Sequence, residues 1–223
     1  MAFICATQCH ATEVAAHVNV KLSGATKGRA PRGNQDVVLW LTPVGDTAIH
    51  MPAAKQGRYQ LAQKNKEFHP RLLVVPVGSI VDFPNQDPFF HNVFSLFNGR
   101  RFDLGLYESG TSRSVHFDRA GVSFIFCNIH PEMSAVVVSL PTPYFATSTA
   151  DGTLVIHGVE PGTYNMHLWA VGNSDKLTSE PVRRATIEGG NTDLGTFTVE
   201  TTPQVSHKNK FGEDYDTQKP QQY

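Results

Sequence analysis

An excess of charge of either sign is missing from this sequence. Lys and Arg number 19 against 20 Asp and Glu, for a net charge of -1, so no basic field exists to hold phosphate backbones, and nucleic acid is not an expected partner. Charged residues make up only 17% of the chain and hydrophobic ones 40%; that balance suits a packed body and not a disordered chain. Long uninterrupted segments are also scarce. The 18 Gly and 14 Pro residues are spread throughout, and past the N-terminal stretch the longest run free of both is Arg58 to His69, which leaves almost no room for long helices. No apolar run approaches the ~18 residues of a membrane-spanning helix. Cysteine is rare: Cys5, Cys9 and Cys127 are all there are.

What is present is a succession of short apolar runs rich in Val, Phe and Thr between turn residues, the pattern of an all-β sandwich or barrel. Val18, Val20 and Leu22 alternate with polar neighbours over His17 to Ser23, which predicts a strand with one wet face. Asp36 to Thr42 is more continuously apolar and fits a strand buried on both sides. Further strands are expected at Tyr59–Gln63, Leu72–Val77, Ser79–Phe83, His91–Leu96, Arg113–Asp118, Val122–Cys127 and Ser134–Leu140. After Pro141-Thr-Pro143, the Asp151-Gly152 and Pro161-Gly162 pairs separate strands at Thr153–His157 and Thr163–Ala170. Two more are expected at Val182–Ile187 and Asp193–Glu200. Residues 1–14 read as either the end of a secretory signal, cut near Cys9-His10-Ala11, or a frayed terminus. Residues 203–223 mix charge with Pro and Gln without periodicity and read as a disordered polar tail.

One stretch carries chemistry. Cys127-Asn-Ile-His130-Pro-Glu-Met133 puts a thiol, an imidazole and a thioether within one turn between two strands, and His91 offers a fourth donor at the start of a strand upstream. Two His, one Cys and a weak axial Met form the ligand list of a blue-copper electron-transfer site. Each residue alone would more often be ordinary core, Cys127 as a small hydrophobe and Met133 as a gap filler; at this spacing, together, they read as ligands. His69 reads as a surface residue or as a neighbour that modifies the site, His116 as facing solvent or a neighbouring sheet, and Glu132 as exposed between two ligands.

These residues give a family resemblance. Phe68-His-Pro70, then Leu73-Val-Val-Pro-Val-Gly78-Ser-Ile-Val-Asp-Phe83-Pro-Asn85-Gln-Asp87, then His91-Asn92, then Gly121 leading to Cys127, His130 and Met133 resemble the cupredoxins in order and spacing, with the short cysteine-to-methionine loop of amicyanin. The resemblance covers about a third of the chain. It implies a Greek-key β-sandwich and one copper ion held by His91, Cys127, His130 and Met133, cycling between Cu(I) and Cu(II). It implies Asn92 as the residue that ties the two ligand segments together, and His130 as the ligand nearest the surface. Phe89, Phe90, Ile129 and Pro131 would form an apolar patch where a redox protein or enzyme docks as electron donor or acceptor. Phe97 fits either that patch or the core. The family works outside the cytoplasm, so the expected location is the periplasm.

Cys127 is flanked by Phe126 and Asn128, not by the histidine that bridges to a second copper in multicopper oxidases and copper nitrite reductases, so an electron carrier is expected and not an enzyme. A copper-delivery protein is the first alternative. The second is an interaction module in which copper is structural, because the flanking strands resemble a transthyretin-like or carboxypeptidase-regulatory-like Ig-type sandwich. The expected organisation is a copper domain at 57–143 inserted into a discontinuous sandwich made of 15–45 and 144–202, although Asp36–Thr42 could also complete the copper domain.

Overall fold

The computed structural model describes residues 12–23, 33–50, 52–96, 99–202 and 207–215. In chain order the strands are β1 (Glu13–Leu22), β2 (Val37–Pro43), β3 (Arg58–Gln60), β4 (Ala62–Lys64), β5 (Glu67–His69), β6 (Leu72–Pro76), β7 (Ser79–Pro84), β8 (His91–Ser95) and β9 (Phe102–Tyr107). They continue as β10 (Ser112–Phe117), β11 (Gly121–Cys127), β12 (Ser134–Leu140), β13 (Phe145–Thr147), β14 (Thr153–His157), β15 (Gly162–Ala170), β16 (Arg183–Ile187) and β17 (Thr192–Thr201). A single helical turn, α1 (Thr47–His50), follows β2.

Pairing sorts these strands into two bodies. Strands β14-β1-β17 and β13-β2-β15-β16 form two sheets drawn from both ends of the described chain. Strands β10-β7-β3 and β6-β12-β11-β8-β9 form two more from the middle, with the β4-β5 hairpin beside them. In each body one apolar cluster draws on both sheets, as the alternation of strand residues requires. Val14, Val18, Leu39, Leu41, Leu154, Tyr164 and Met166 fill the flanking body; Val75, Val81, Phe83, Val93, Phe117, Ile125 and Val137 fill the middle one.

The strands with apolar residues on both faces have a second job. In β2, Val37, Leu39 and Leu41 face the flanking core while Val38 and Trp40 face the other way. In β12, Ala135 and Val137 face the middle core while Val136, Val138 and Leu140 face away. The outward sets meet, together with Val74, Val122 and Trp169, in a third buried cluster that joins the two bodies. Each Val or Leu buried there contributes roughly 1.5–3 kcal/mol by leaving water, so the seam is a core in its own right and not a loose contact between tethered domains. The Asp151-Gly152 turn expected from sequence closes against β1: Gly152 has φ +97, and a Cβ there would stand 2.2 Å from the Val18 carbonyl oxygen, so only glycine fits.

Several expectations need correction. Residues 12–14 are not frayed, because Val14 is fully buried and pairs with Ile156 and Thr192; Cys5 and Cys9 lie outside the described residues. Strand β2 pairs with β13 and β15 in the flanking body, not with the middle one. Strands β5, β9 and β13 were not expected: β5 and β13 have three residues each, and β9 contains Gly105 in a left-handed conformation (φ 67). The run expected at Tyr59–Gln63 is broken between β3 and β4, as Leu61 turns into the core.

Trp169 fills the seam and donates its Nε1–H to the Ser174 carbonyl at 2.8 Å. Trp169→Ala should cost about 3–5 kcal/mol, the usual penalty for emptying a buried aromatic site. Urea denaturation checks this; a loss below about 1 kcal/mol would show that the seam carries little stability.

Candidate metal centre

Strand β8 begins at His91 and strand β11 ends at Cys127, and the two pair antiparallel through Cys127 and Val93. The turn after β11 brings His130 back over the same spot: Met133 N–H donates to the His130 carbonyl at 3.0 Å, and Asn128 N–H donates to the Asn92 carbonyl at 3.0 Å. The result is a cluster in which Cys127 Sγ lies 3.6 Å from His91 Nδ1 and 3.5 Å from His130 Nδ1. One donor atom from each of the three residues lies within 4.8 Å of the others. Donors placed about 2.0–2.3 Å from one shared ion stand this far apart at open angles, so the cluster can hold a metal ion. His91, Cys127 and His130 are each 0% exposed. Met133 is also buried and belongs to the same apolar cluster as Cys127.

The protonation states suit ligation. Burial, with the neighbouring His91 adding to it, depresses His130 to about 4. Burial also lowers His91, against the pull of Asp87. Both imidazoles are therefore neutral at physiological pH and keep a nitrogen lone pair. Burial pushes the Cys127 thiol up, although the N–H groups of Asn92, Ile129 and His130 point at the sulfur and favour its anion. An incoming cation must therefore displace the thiol proton, and those three N–H groups then stabilise the thiolate.

Asp87 is the residue that sequence reasoning named only as part of a motif and gave no role. Its Oδ2 accepts from His91 Nε2 at 2.9 Å, on the side of the ring away from the sulfur. The same carboxylate accepts the backbone N–H groups of Asn65 and Lys66, the two residues at the tip of the β4-β5 hairpin. Both have positive φ, 56° and 57°. Burial pushes Asp87 up, but these donors together hold it below the usual carboxylate range. An ionised partner fixes the His91 tautomer and aims Nδ1 at the cluster. The sequence signal was the i, i+4 spacing of Asp87 and His91 before a strand.

The other expected residues are placed as follows. The Asn92 backbone carbonyl accepts from Asn128 N–H across to the turn after β11, and its side chain donates to Asp103 Oδ1 at 2.7 Å. His130, which the family resemblance places nearest the surface, is fully buried, as are His91 and Cys127. Phe89 covers it, with ring centroids 5.5 Å apart, and also lies 5.3 Å from the His91 ring, while the Lys66 ammonium sits over the outer face of Phe89 at 5.4 Å. Phe89, Ile129 and Pro131 are half-buried, and Phe90 is exposed. Glu132, His69 and His116 are exposed as expected, and Phe97 lies outside the described residues. Residues 207–215, expected within a disordered tail, instead lie against the cluster's turn: Lys210 N–H donates to Asn128 Oδ1 at 2.9 Å and the Tyr215 hydroxyl to the Cys127 carbonyl at 2.7 Å. Scattered polar contacts to distant residues hold this segment, and no periodicity announces them.

Replacing Asp87 with Asn should weaken metal binding about 10–100-fold, the usual cost of losing the partner of a ligating histidine. Isothermal titration of the metal-free protein measures it; an unchanged affinity would mean that Asp87 serves the hairpin alone.

No family model matches the chain, and no curated protein matches it. Among solved structures it is similar to a purple cupredoxin from Nitrosopumilus maritimus, at 24% identity over 37% of this chain and 99% of that one, with a TM-score of 0.34. A reduced-state amicyanin variant is similar at 23% identity over 37% of this chain and 82% of that one, with a TM-score of 0.35. A copper-containing nitrite reductase from Thermus scotoductus is similar at 21% identity; the match covers 44% of this chain but only 27% of that one, with a TM-score of 0.36.

Proposed function

We propose that this chain is a single-electron carrier whose centre is one copper ion held by His91, Cys127 and His130, with Met133 as a weak fourth ligand. The observation that carries the reading is the buried convergence of two neutral imidazole nitrogens on one cysteine sulfur. Two nitrogens and a thiolate with a thioether nearby suit copper, whereas zinc has little use for methionine. Bound there, copper supplies one reversible electron between Cu(I) and Cu(II).

The chain's own residues do the rest. Asp87 holds His91 from behind, and the N–H groups of Asn92, Ile129 and His130 hold the sulfur. With the donors fixed before a metal arrives, little has to move when an electron does. Complete burial of His91, Cys127 and His130 favours retention of the ion and passage of the electron alone, so it supports a carrier over a delivery protein. Phe90, with Phe89, Ile129 and Pro131 around it, offers an apolar rim for a redox partner. A carrier without a catalytic role, working outside the cytoplasm, is the corresponding biological setting. No helix among the described residues is long and apolar enough to cross a membrane.

For the organisation we propose a copper domain of residues 57–143 inserted into an Ig-like sandwich that serves as spacer or docking body. The separate pairing of middle and flanking strands supports this, and insertion at exposed loops is well tolerated.

Cu(II) loading should turn the protein intensely blue, green or purple through sulfur-to-copper charge transfer, and Cys127→Ser should abolish the colour; a colourless wild-type complex would refute the centre. Met133→Gln should keep copper but lower the reduction potential, because an oxygen donor favours Cu(II) over Cu(I). Voltammetry reads this, and an unmoved potential would remove Met133 from the ligand set.

A further inference from the structure

Residues 207–215 form a turn that closes on itself before it touches anything else. Asn209 Oδ1 accepts the N–H groups of Phe211 and Glu213 at 2.9 and 3.0 Å, and Asn209 N–H donates to the Glu213 carbonyl at 2.9 Å. A segment organised in this way loses less freedom on docking than an open chain would. Its contacts are concentrated on the ligand-bearing elements. The His207 ring stacks on Phe126, beside the ligand Cys127, with centroids 4.0 Å apart and planes 25° from parallel. The Tyr215 hydroxyl lies 2.7 Å from the Cys127 carbonyl and 3.2 Å from His207 Nδ1. Lys210 holds the turn at Asn128 and, through its ammonium at 2.8 Å, Asp103 Oδ2.

Asp103 makes this more than a cover. Its other oxygen accepts from Asn92 Nδ2 at 2.7 Å, and Asn92 follows the ligand His91. The segment therefore grips both halves of the centre at once, the β11 end through Tyr215 and the β8 start through Lys210, Asp103 and Asn92. Cys127 Sγ receives the N–H groups of Asn92, Ile129 and His130, and the grips fall on Cys127, Asn128 and the Asn92 side chain, within or beside those residues.

We propose that residues 207–215 are a strap that sets the position of the Cys127–Met133 turn against strand β8, with Tyr215 as its positioning residue. The effect on a bound ion rests on the copper reading; the effect on the turn does not. Without the phenol hydroxyl the Cys127 carbonyl loses its partner, and the turn opens more often.

The test uses the full chain with Cys5→Ser and Cys9→Ser, so that Cys127 is the only thiol. In the metal-free protein the rate of Cys127 alkylation by iodoacetamide reports opening of the turn. Tyr215→Phe should raise that rate about three- to tenfold, the consequence of losing one ordinary hydrogen bond, and Asp103→Asn should raise it too. With Cu(II) bound, Tyr215→Phe should also shift the charge-transfer band, since the sulfur moves relative to the imidazoles. Unchanged alkylation in both variants overturns the strap. Faster alkylation with an unmoved band overturns the positioning role of Tyr215, because the segment would then only shield the thiol. A wild-type protein that takes up no copper would end the copper reading and leave the metal-free measurement to decide the strap.

Discussion

The carboxylate of Asp87 is the constraint on which the candidate metal centre depends. It is buried, holds the two left-handed residues at the tip of the β4-β5 hairpin by their N–H groups, and orients His91. A non-glycine pair with positive φ costs of the order of 1–3 kcal/mol per residue unless its surroundings enforce it. Here a negative charge that would otherwise be stranded in the interior does the enforcing. The hairpin in turn brings Lys66 over Phe89, the ring that packs against both His91 and His130. One carboxylate thus couples a strained turn, the His91 tautomer and the aromatic ring packed on the cluster, and its replacement would disturb all three.

Strands with apolar residues on both faces solve a different problem. A sandwich needs only one buried face per sheet, and β2 and β12 have two. Their second faces find each other across the seam; within the flanking sheet, the neighbouring strands β2 and β15 are tied by the rings of Trp40 and His167, stacked 5.0 Å apart, and by His167 Nε2 meeting Thr42 Oγ1 at 2.8 Å. That polar pair adds a directional contact between β2 and β15, so the face the flanking sheet turns to the seam is held in one arrangement.

Much of this was legible in the sequence because it is local. Spacing within Cys127–Met133 carries three candidate donors, and alternation or continuity of apolar residues marks most strands to within a residue or two. Strand Thr153–His157 has the bounds read from the sequence. What was not legible depends on partners far away in the chain. The depth of His130 is set by Phe89 and Lys66, the role of Asp87 by a hairpin 21 residues earlier, and the docking of residues 207–215 by single polar atoms of Cys127, Asn128 and Asp103. None of these leaves a period in the sequence. The short β5 and β13 are held by tertiary pairing, which propensity does not record.

Strand β11 has one end in the seam, at Val122, and the other at the sulfur of Cys127. Five residues of extended chain separate them, about 16 Å. A strand pinned in the buried interface at one end and carrying the cysteine at the other makes the union of the two bodies part of what holds that sulfur still.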